Sequence, residues 1–230
     1  MAAGLYVCYA FNCIIYYNVT INGSNPNFWS GHSRNCCTAP GSYTGWTLDL
    51  VTNEPGFVDV AAGNWRLQSN SPCINAGNFA SVSATDLDGN PRLVGGAVDI
   101  GAYEFQTPTT VISYAWLRQY GLPTDGTADF TDPDGDGFNN FQEWHCGTDP
   151  TNALSSLRLL PPVSDGTNVT LAWTSALDRM YFVEYSPDLS ATPRFLRLST
   201  NLYAAAGITT FIHTNAVTGA GTGFYRVTLP

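Results

Sequence analysis

A mainly β chain in three segments is the fold the sequence predicts, and three observations predict it. Residues 1–106 hold runs of strand formers, Leu5 to Tyr9, Cys13 to Ile21 and Trp46 to Val51, divided by polar turns such as N-G-S-N-P-N. Residues 107–156 hold a twelve-residue Asp/Gly loop between two short helical patterns. Residues 157–230 hold short strand patterns that recur at intervals of roughly ten to fifteen residues.

In the first segment, Cys13 lies about one solenoid rung before Cys36 and Cys37. Stacked strand rungs would bring such cysteines together, so a disulfide among Cys8, Cys13, Cys36 and Cys37 is expected. The other reading makes them small buried hydrophobes. From Ser71 the chain reads S-P-C-I-N-A-G, T-D-L-D-G-N-P-R and V-D-I-G-A-Y-E-F, after P-G-F-V-D and N-W-R-L-Q-S. This order of motifs resembles the closing segment of secreted bacterial right-handed parallel β-helix proteins, the pectate-lyase-like group that ends in a choice-of-anchor domain. The resemblance implies that residues 1–106 are terminal β-helix rungs and a cap.

Arg92 has Asp86, Asp88, Asp99 and Glu104 near it in sequence, so ion pairs and turns account for these acids. A general acid and base drawn from them is the enzymatic alternative. G-H-S-R-N at residues 31–35 begins like a nucleophile elbow, but Asn35 stands where glycine is needed. His32 and Ser33 therefore read as a surface loop.

In the second segment, T-P-T-T marks a linker. S-Y-A-W-L-R-Q-Y-G-L reads as a short helix with Ser113 as N-cap and Gly121 as stop. The loop D-P-D-G-D-G-F-N-N-F-Q-E fits a calcium-loop template position by position. Asp132, Asp134 and Asp136 take places one, three and five, and Gly137 takes the turning place. Phe138 would offer its carbonyl, Asn140 takes place nine, and Glu143 closes the loop as a bidentate carboxylate. Calcium is a hard ion that takes six to eight oxygens, so one Ca2+ is the expected cofactor. Asn139 occupies the usually apolar place eight, and no second complete loop occurs, so a solitary structural site is expected. Asp125, Asp129 and Asp149 would either add ligands or cap helices. Trp116, Leu117, Tyr120, Phe130, Phe138, Phe141 and Trp144 would form a small core. The loop and the following G-T-D-P-T-N resemble thrombospondin type 3-like and dockerin-like calcium repeats. Dockerins need two loops, and one is present.

In the third segment, Leu157–Leu160, Val169–Trp173, Tyr181–Tyr185, Phe195–Leu198, Thr209–His213 and Phe224–Leu229 predict an antiparallel β-sandwich centred on Trp173. The ending G-F-Y-R-V-T-L-P resembles fibronectin-like domains that follow calcium repeats.

Composition narrows the function. Of 230 residues, 44% are hydrophobic and 12% charged, with formal net charge −9. All nine basic residues are Arg. Without a basic patch, nucleic acid is not an expected partner. Without lysine, Schiff-base chemistry and a P-loop lysine are excluded. A polysaccharide lyase would need Arg34 or Arg66 as base, against a high pKa. No apolar run of membrane-spanning length occurs. The opening M-A-A-G-L-Y-V-C-Y-A lacks a basic leader, and the chain reads as the tail of a longer protein. Six cysteines beside a calcium loop suit an oxidising exterior, secreted or at the cell surface. The expectation is a non-catalytic, calcium-stabilised region that binds, spaces or assembles, with an extracellular polysaccharide or cell-surface component as partner. The alternatives are a polysaccharide lyase or glycoside hydrolase, and self-association through an open solenoid end.

Overall fold

The computed structural model describes residues 8–18, 27, 30–40, 44–78, 83–177, 179–203, 207–216 and 223–229. The chain is mainly β, with two short helices among the described residues, and it divides into compact units 1–131 and 132–230.

In the first unit, β1 (Cys8–Phe11), β3 (Ser30–Arg34) and β5 (Thr44–Leu48) pair in parallel in the order β1-β3-β5. Each strand ends at the same place in the register. Asn12, Asn35 and Asp49 follow there with φ of 52°, 49° and 50°. Short polar side chains tolerate this left-handed conformation, and it turns all three chains together. Past the bends, β2 (Ile14–Ile15) pairs with β4 (Cys37–Thr38), and Cys37 bridges to Val51, again in parallel. The bend at Asp49 cuts the strand expected over Trp46–Val51, and of the described residues of the one expected over Cys13–Ile21 only Ile14–Ile15 is strand, with Tyr17 following at φ 57°. Residues 5–7 and 19–21 of the expected strands lie outside the described residues.

The expectation of a right-handed parallel β-helix over residues 1–106 is corrected. Parallel pairing stops at Val51. From Phe57 onward every described strand pair is antiparallel, beginning with the hairpin of β6 (Phe57–Asp59) and β7 (Asn64–Leu67). The described residues of 71–110 form no strand and are held by side chains that bond the backbone. Asn75 donates to Thr110 O at 2.8 Å, and Asp86 accepts from the N–H groups of Asp88 and Asn90, both at 2.9 Å. Such local bonds compete with strand ladders and win where Asn, Asp and Gly are dense. Self-association through a solenoid end loses its basis with the solenoid.

The core of this unit gathers Cys37, Val51, Leu67, Cys73, Ile74, Ile100 and Tyr114. Tyr114 opens α1 (Tyr114–Gln119), whose N-cap Ser113 accepts from Trp116 N. Gly121, at φ 69°, follows the helix, and Leu122 N donates back to Leu117 O at 2.8 Å. The small aromatic core expected around the acidic loop does not form as one cluster. Phe130 is 68% exposed, while Leu117 is buried in the first unit.

The second unit begins with the acidic loop and α2 (Asn140–Cys146). Two antiparallel sheets follow. One contains β8 (Val163–Ser164), β9 (Val169–Ser175) and β12 (Gly207–His213) in the order β12-β9-β8. The other contains β10 (Met180–Ser186), β11 (Leu196–Tyr203) and β13 (Phe224–Thr228) in the order β11-β10-β13. Leu171 and Trp173 alternate along β9, Tyr181 and Val183 along β10, and these four form the buried core. Leu157–Leu160 is not a strand. It bridges to β9 at Leu159 and Trp173, and Leu160 N donates to Ala172 O at 2.7 Å. The mainly β composition stands, but its frame is a set of small sheets, mostly antiparallel, with few helices.

Candidate metal centre

The acidic loop is built by its own aspartates. Asp132 accepts from Gly135 N at 2.8 Å and from Gly137 N at 3.0 Å. Asp134 accepts from Asp136 N at 3.3 Å, and Asp136 from Phe138 N at 2.8 Å. Gly135 and Gly137 take φ of 75° and 96°, which glycine adopts without strain. Each of Asp134 and Asp136 thus spends one oxygen on the turn. The other oxygen of each, Oδ2, is buried with no hydrogen-bond partner.

Helix α2 supplies the far wall. Asn139 caps it, accepting from Gln142 N at 3.0 Å, while Gln142 Oε1 accepts from Asn139 N at 2.9 Å. This reciprocal box explains the Asn at the usually apolar place eight: it starts a helix. The signal was legible as N-x-x-Q, and sequence reading took the residue only as a departure from the loop template. Asn140 and Glu143, one turn apart, are both fully buried. Glu143 Oε2 has no hydrogen-bond partner, and Thr148 Oγ1 lies 3.4 Å from Oε1. Burial first, then the charges of Asp134, Asp136 and Asp132, push the Glu143 carboxyl up to about 7. At the other end, Gly147 adopts φ 73°. The Arg179 guanidinium donates to Trp144 O at 3.3 Å, and Arg179 Nε would lie 2.7 Å from a Cβ added at Gly147. A cation at a helix C-terminus is favourable, and this one ties α2 to the β9–β10 connection.

Asp132, Asp134 and Asp136 bring ligand oxygens within 4.8 Å of one another, a grouping of three acidic or His/Cys side chains that occurs nowhere else among the described residues. Buried carboxylate oxygens without donors fit a hard cation and leave soft-metal chemistry without ligands. Phe138 and Asn140 lie between the aspartates and Glu143. Asp125 and Asp149 do not join them. Each accepts from a Thr two residues on, Asp125 from Thr127 and Asp149 from Thr151. Asp129 accepts from Val111 N at 3.0 Å and from the Thr110 hydroxyl.

The other acids serve the fold. Asp88 pairs with Arg66 through two bonds, of 2.6 and 2.5 Å. Arg92 lies 3.6 Å from Glu104 and donates to Asp99 O and Gly101 O. His32 is exposed and stacks on Tyr9 at 4.8 Å, while Ser33 is buried. Alternation along β3 sends them to opposite sides, so they do not form a nucleophile and base.

A groove of roughly 670 Å³ lies in the first unit. Tyr16, Tyr17, Phe57, Trp65 and Tyr103 line it together with Asn12 and Asn18. No helix among the described residues is long and apolar enough to cross a membrane.

No family model, no curated protein and no solved structure matches this chain. With small sheets and two short helices among the described residues, this corrects the expected kinship with parallel β-helix, thrombospondin-repeat and fibronectin-like proteins.

Proposed function

We propose that residues 132–143 bind one Ca2+ through Asp132, Asp134, Asp136, the Phe138 carbonyl, Asn140 and Glu143. In this reading the chain is a non-catalytic, calcium-stabilised region of a secreted or cell-surface protein that binds, spaces or assembles. The observation that carries it is the set of buried oxygens on Asp134, Asp136 and Glu143 without donors. The three clustered aspartates repel one another and act on the Glu143 carboxylate, and a divalent ion reverses the sign of that interaction.

The test is thermal or urea unfolding of the full chain with calcium and with a chelator. Calcium several hundredfold above its dissociation constant stabilises the 132–230 unit by about 3–4 kcal/mol. Asp134→Ala removes most of the gain, and magnesium does not replace calcium. Equal stability with calcium and with chelator refutes the reading.

An extracellular polysaccharide is the partner this reading favours. The aromatic groove supports it, because ring faces pack against sugar C–H groups while amides meet hydroxyls. Trp65, 44% exposed, offers the most open ring of the lining. With net charge −9, neutral glycans fit better than acidic ones. Affinity electrophoresis through neutral glycan gels should retard the chain, and Trp65→Ala should lose at least about tenfold in affinity, near the energy of one lost ring contact. Migration unaffected by every glycan would remove the polysaccharide from the account.

A further inference from the structure

Four cysteines of the first unit sit as two pairs. The strand register places Cys13 beside Cys36, one step past the bends at Asn12 and Asn35 and one step before the Ile14–Cys37 partners. Cys37 N donates to Cys13 O at 2.9 Å, which fixes the two backbones at ladder distance. Cys36 packs in a small cluster with Ala10, Ile15 and Cys13; its Sγ donates to Arg34 O at 3.3 Å, and Cys13 Sγ donates to Phe11 O at 3.0 Å. Cys37 belongs to a different cluster, which it shares with Cys73, and its Sγ donates to Asn53 O at 3.3 Å. Consecutive residues of an extended chain point to opposite sides, so Cys36 and Cys37 serve separate pairs. The four sulfurs do not converge as one metal-ligand group among the described residues, which leaves no zinc tetrathiolate here. Cys13, Cys36, Cys37, Cys73 and Cys146 carry free thiols, and the Cys8 side chain lies outside the described residues.

We propose that Cys13–Cys36 and Cys37–Cys73 are two disulfide sites that close by exchange with a low-molecular-weight disulfide such as oxidised glutathione. A cross-strand neighbour pair has the Cα separation that a disulfide requires. For the first pair, the Cys13 thiolate attacks one sulfur of the small disulfide. That S–S bond breaks, one thiolate leaves, and a mixed disulfide forms. Cys36 then loses its proton and attacks the Cys13 sulfur, expelling the second small thiolate. One small disulfide becomes two small thiols, which carry the two protons, and one protein disulfide appears. The second pair closes by the same exchange with a second small disulfide.

The two pairs differ in access. Cys13 is partly exposed, and the neighbouring Cys36 side chain, against burial and with help from the Phe11 backbone, lowers its thiol to about 6. It therefore starts the exchange in the folded chain. Cys37 and Cys73 are fully buried, and the Cys73 contact and burial push the Cys37 thiol up. That pair closes while the chain is open during folding.

The test is refolding of the reduced full chain in a glutathione redox buffer, followed by alkylation under denaturing conditions and peptide mapping. Of the six cysteines, Cys8 and Cys146 alone should be alkylated. Because Cys36 and Cys37 are adjacent, the digest should yield one cluster of three linked peptides. Cys73→Ser should retain the Cys13–Cys36 link, and Cys13→Ser the Cys37–Cys73 link. These links are read by mass, whatever the stability of the variant. The oxidised chain should melt on the order of 10 °C above the reduced one. Six alkylated thiols, a link from Cys13 to Cys37 or from Cys36 to Cys73, or a link to Cys8 would overturn the assignment.

Discussion

Arg92→Met destabilises the 1–131 unit by about 3–5 kcal/mol at pH 8, and by clearly less at pH 5. Arg92 is the cation of a buried cluster that contains two acids. Its guanidinium donates to Asp99 O at 3.1 Å and Gly101 O at 2.7 Å, and lies 3.6 Å from Glu104. Asp99 accepts from Asn75 N at 2.8 Å and Phe105 N at 2.6 Å, and Glu104 from Asp99 N at 2.9 Å. Burial lifts the Asp99 carboxyl from 3.8 to about 6. Burial and the Asp99 charge lift Glu104 from 4.5 to about 8. Between the ordinary and the lifted values, the native state holds protons that the unfolded chain releases. Stability from these two groups is therefore full below about pH 4 and lost as pH rises towards 8. Methionine removes the opposing charge and leaves both acids buried, so its cost grows as they ionise. The lowered acids Asp86, Asp125, Asp165 and Asp188 are charged in both states across this window and add no slope. Urea unfolding at both pH values measures the effect. A penalty of equal size at pH 5 and pH 8 contradicts it.

Trp173→Ala costs the 132–230 unit about 3–5 kcal/mol. The ring is fully buried with Leu171, Tyr181 and Val183, and its centroid lies 5.9 Å from that of Tyr181. Alanine leaves a cavity that two sheets cannot close without shifting strands. Trp173→Phe behaves differently. The indole Nε1 is buried with no hydrogen-bond partner, so phenylalanine removes an unsatisfied donor together with part of the ring volume. Its cost stays under about 1.5 kcal/mol. Denaturant melts followed by circular dichroism separate the two variants. Equal losses for Ala and Phe would show that the indole edge, and not ring volume, holds this core.

The mainly β character was legible from strand formers and polar turns, and the acidic loop was legible because its spacing is a chain-local property. Asp132, Asp134 and Asp136 come together through bonds that span no more than five residues, from Asp132 to Gly137. What sequence reading missed depends on partners distant in sequence. The Cys37–Cys73 pair joins residues that no local period connects. The rung-sized spacing of Cys13 and Cys36 correctly placed them side by side, yet it did not extend to a solenoid. Asn and Asp bends and the side-chain-to-backbone bonds of residues 71–110 replace further strands. The acids around Arg92 read as ion-pair partners, but burial had no signature in the sequence. Asp99 and Glu104 are buried, whereas Asp86 and Asp88 hold turns and the Arg66 pair at the surface.

The measurement closest to the central claim is a calorimetric titration of the chelator-stripped full chain with calcium. The account predicts one calcium ion per chain, with Asp134→Ala and Glu143→Gln each weakening binding at least about tenfold, and no comparable binding of magnesium. Absence of calcium binding in the unaltered chain, or binding unchanged by both substitutions, would contradict it.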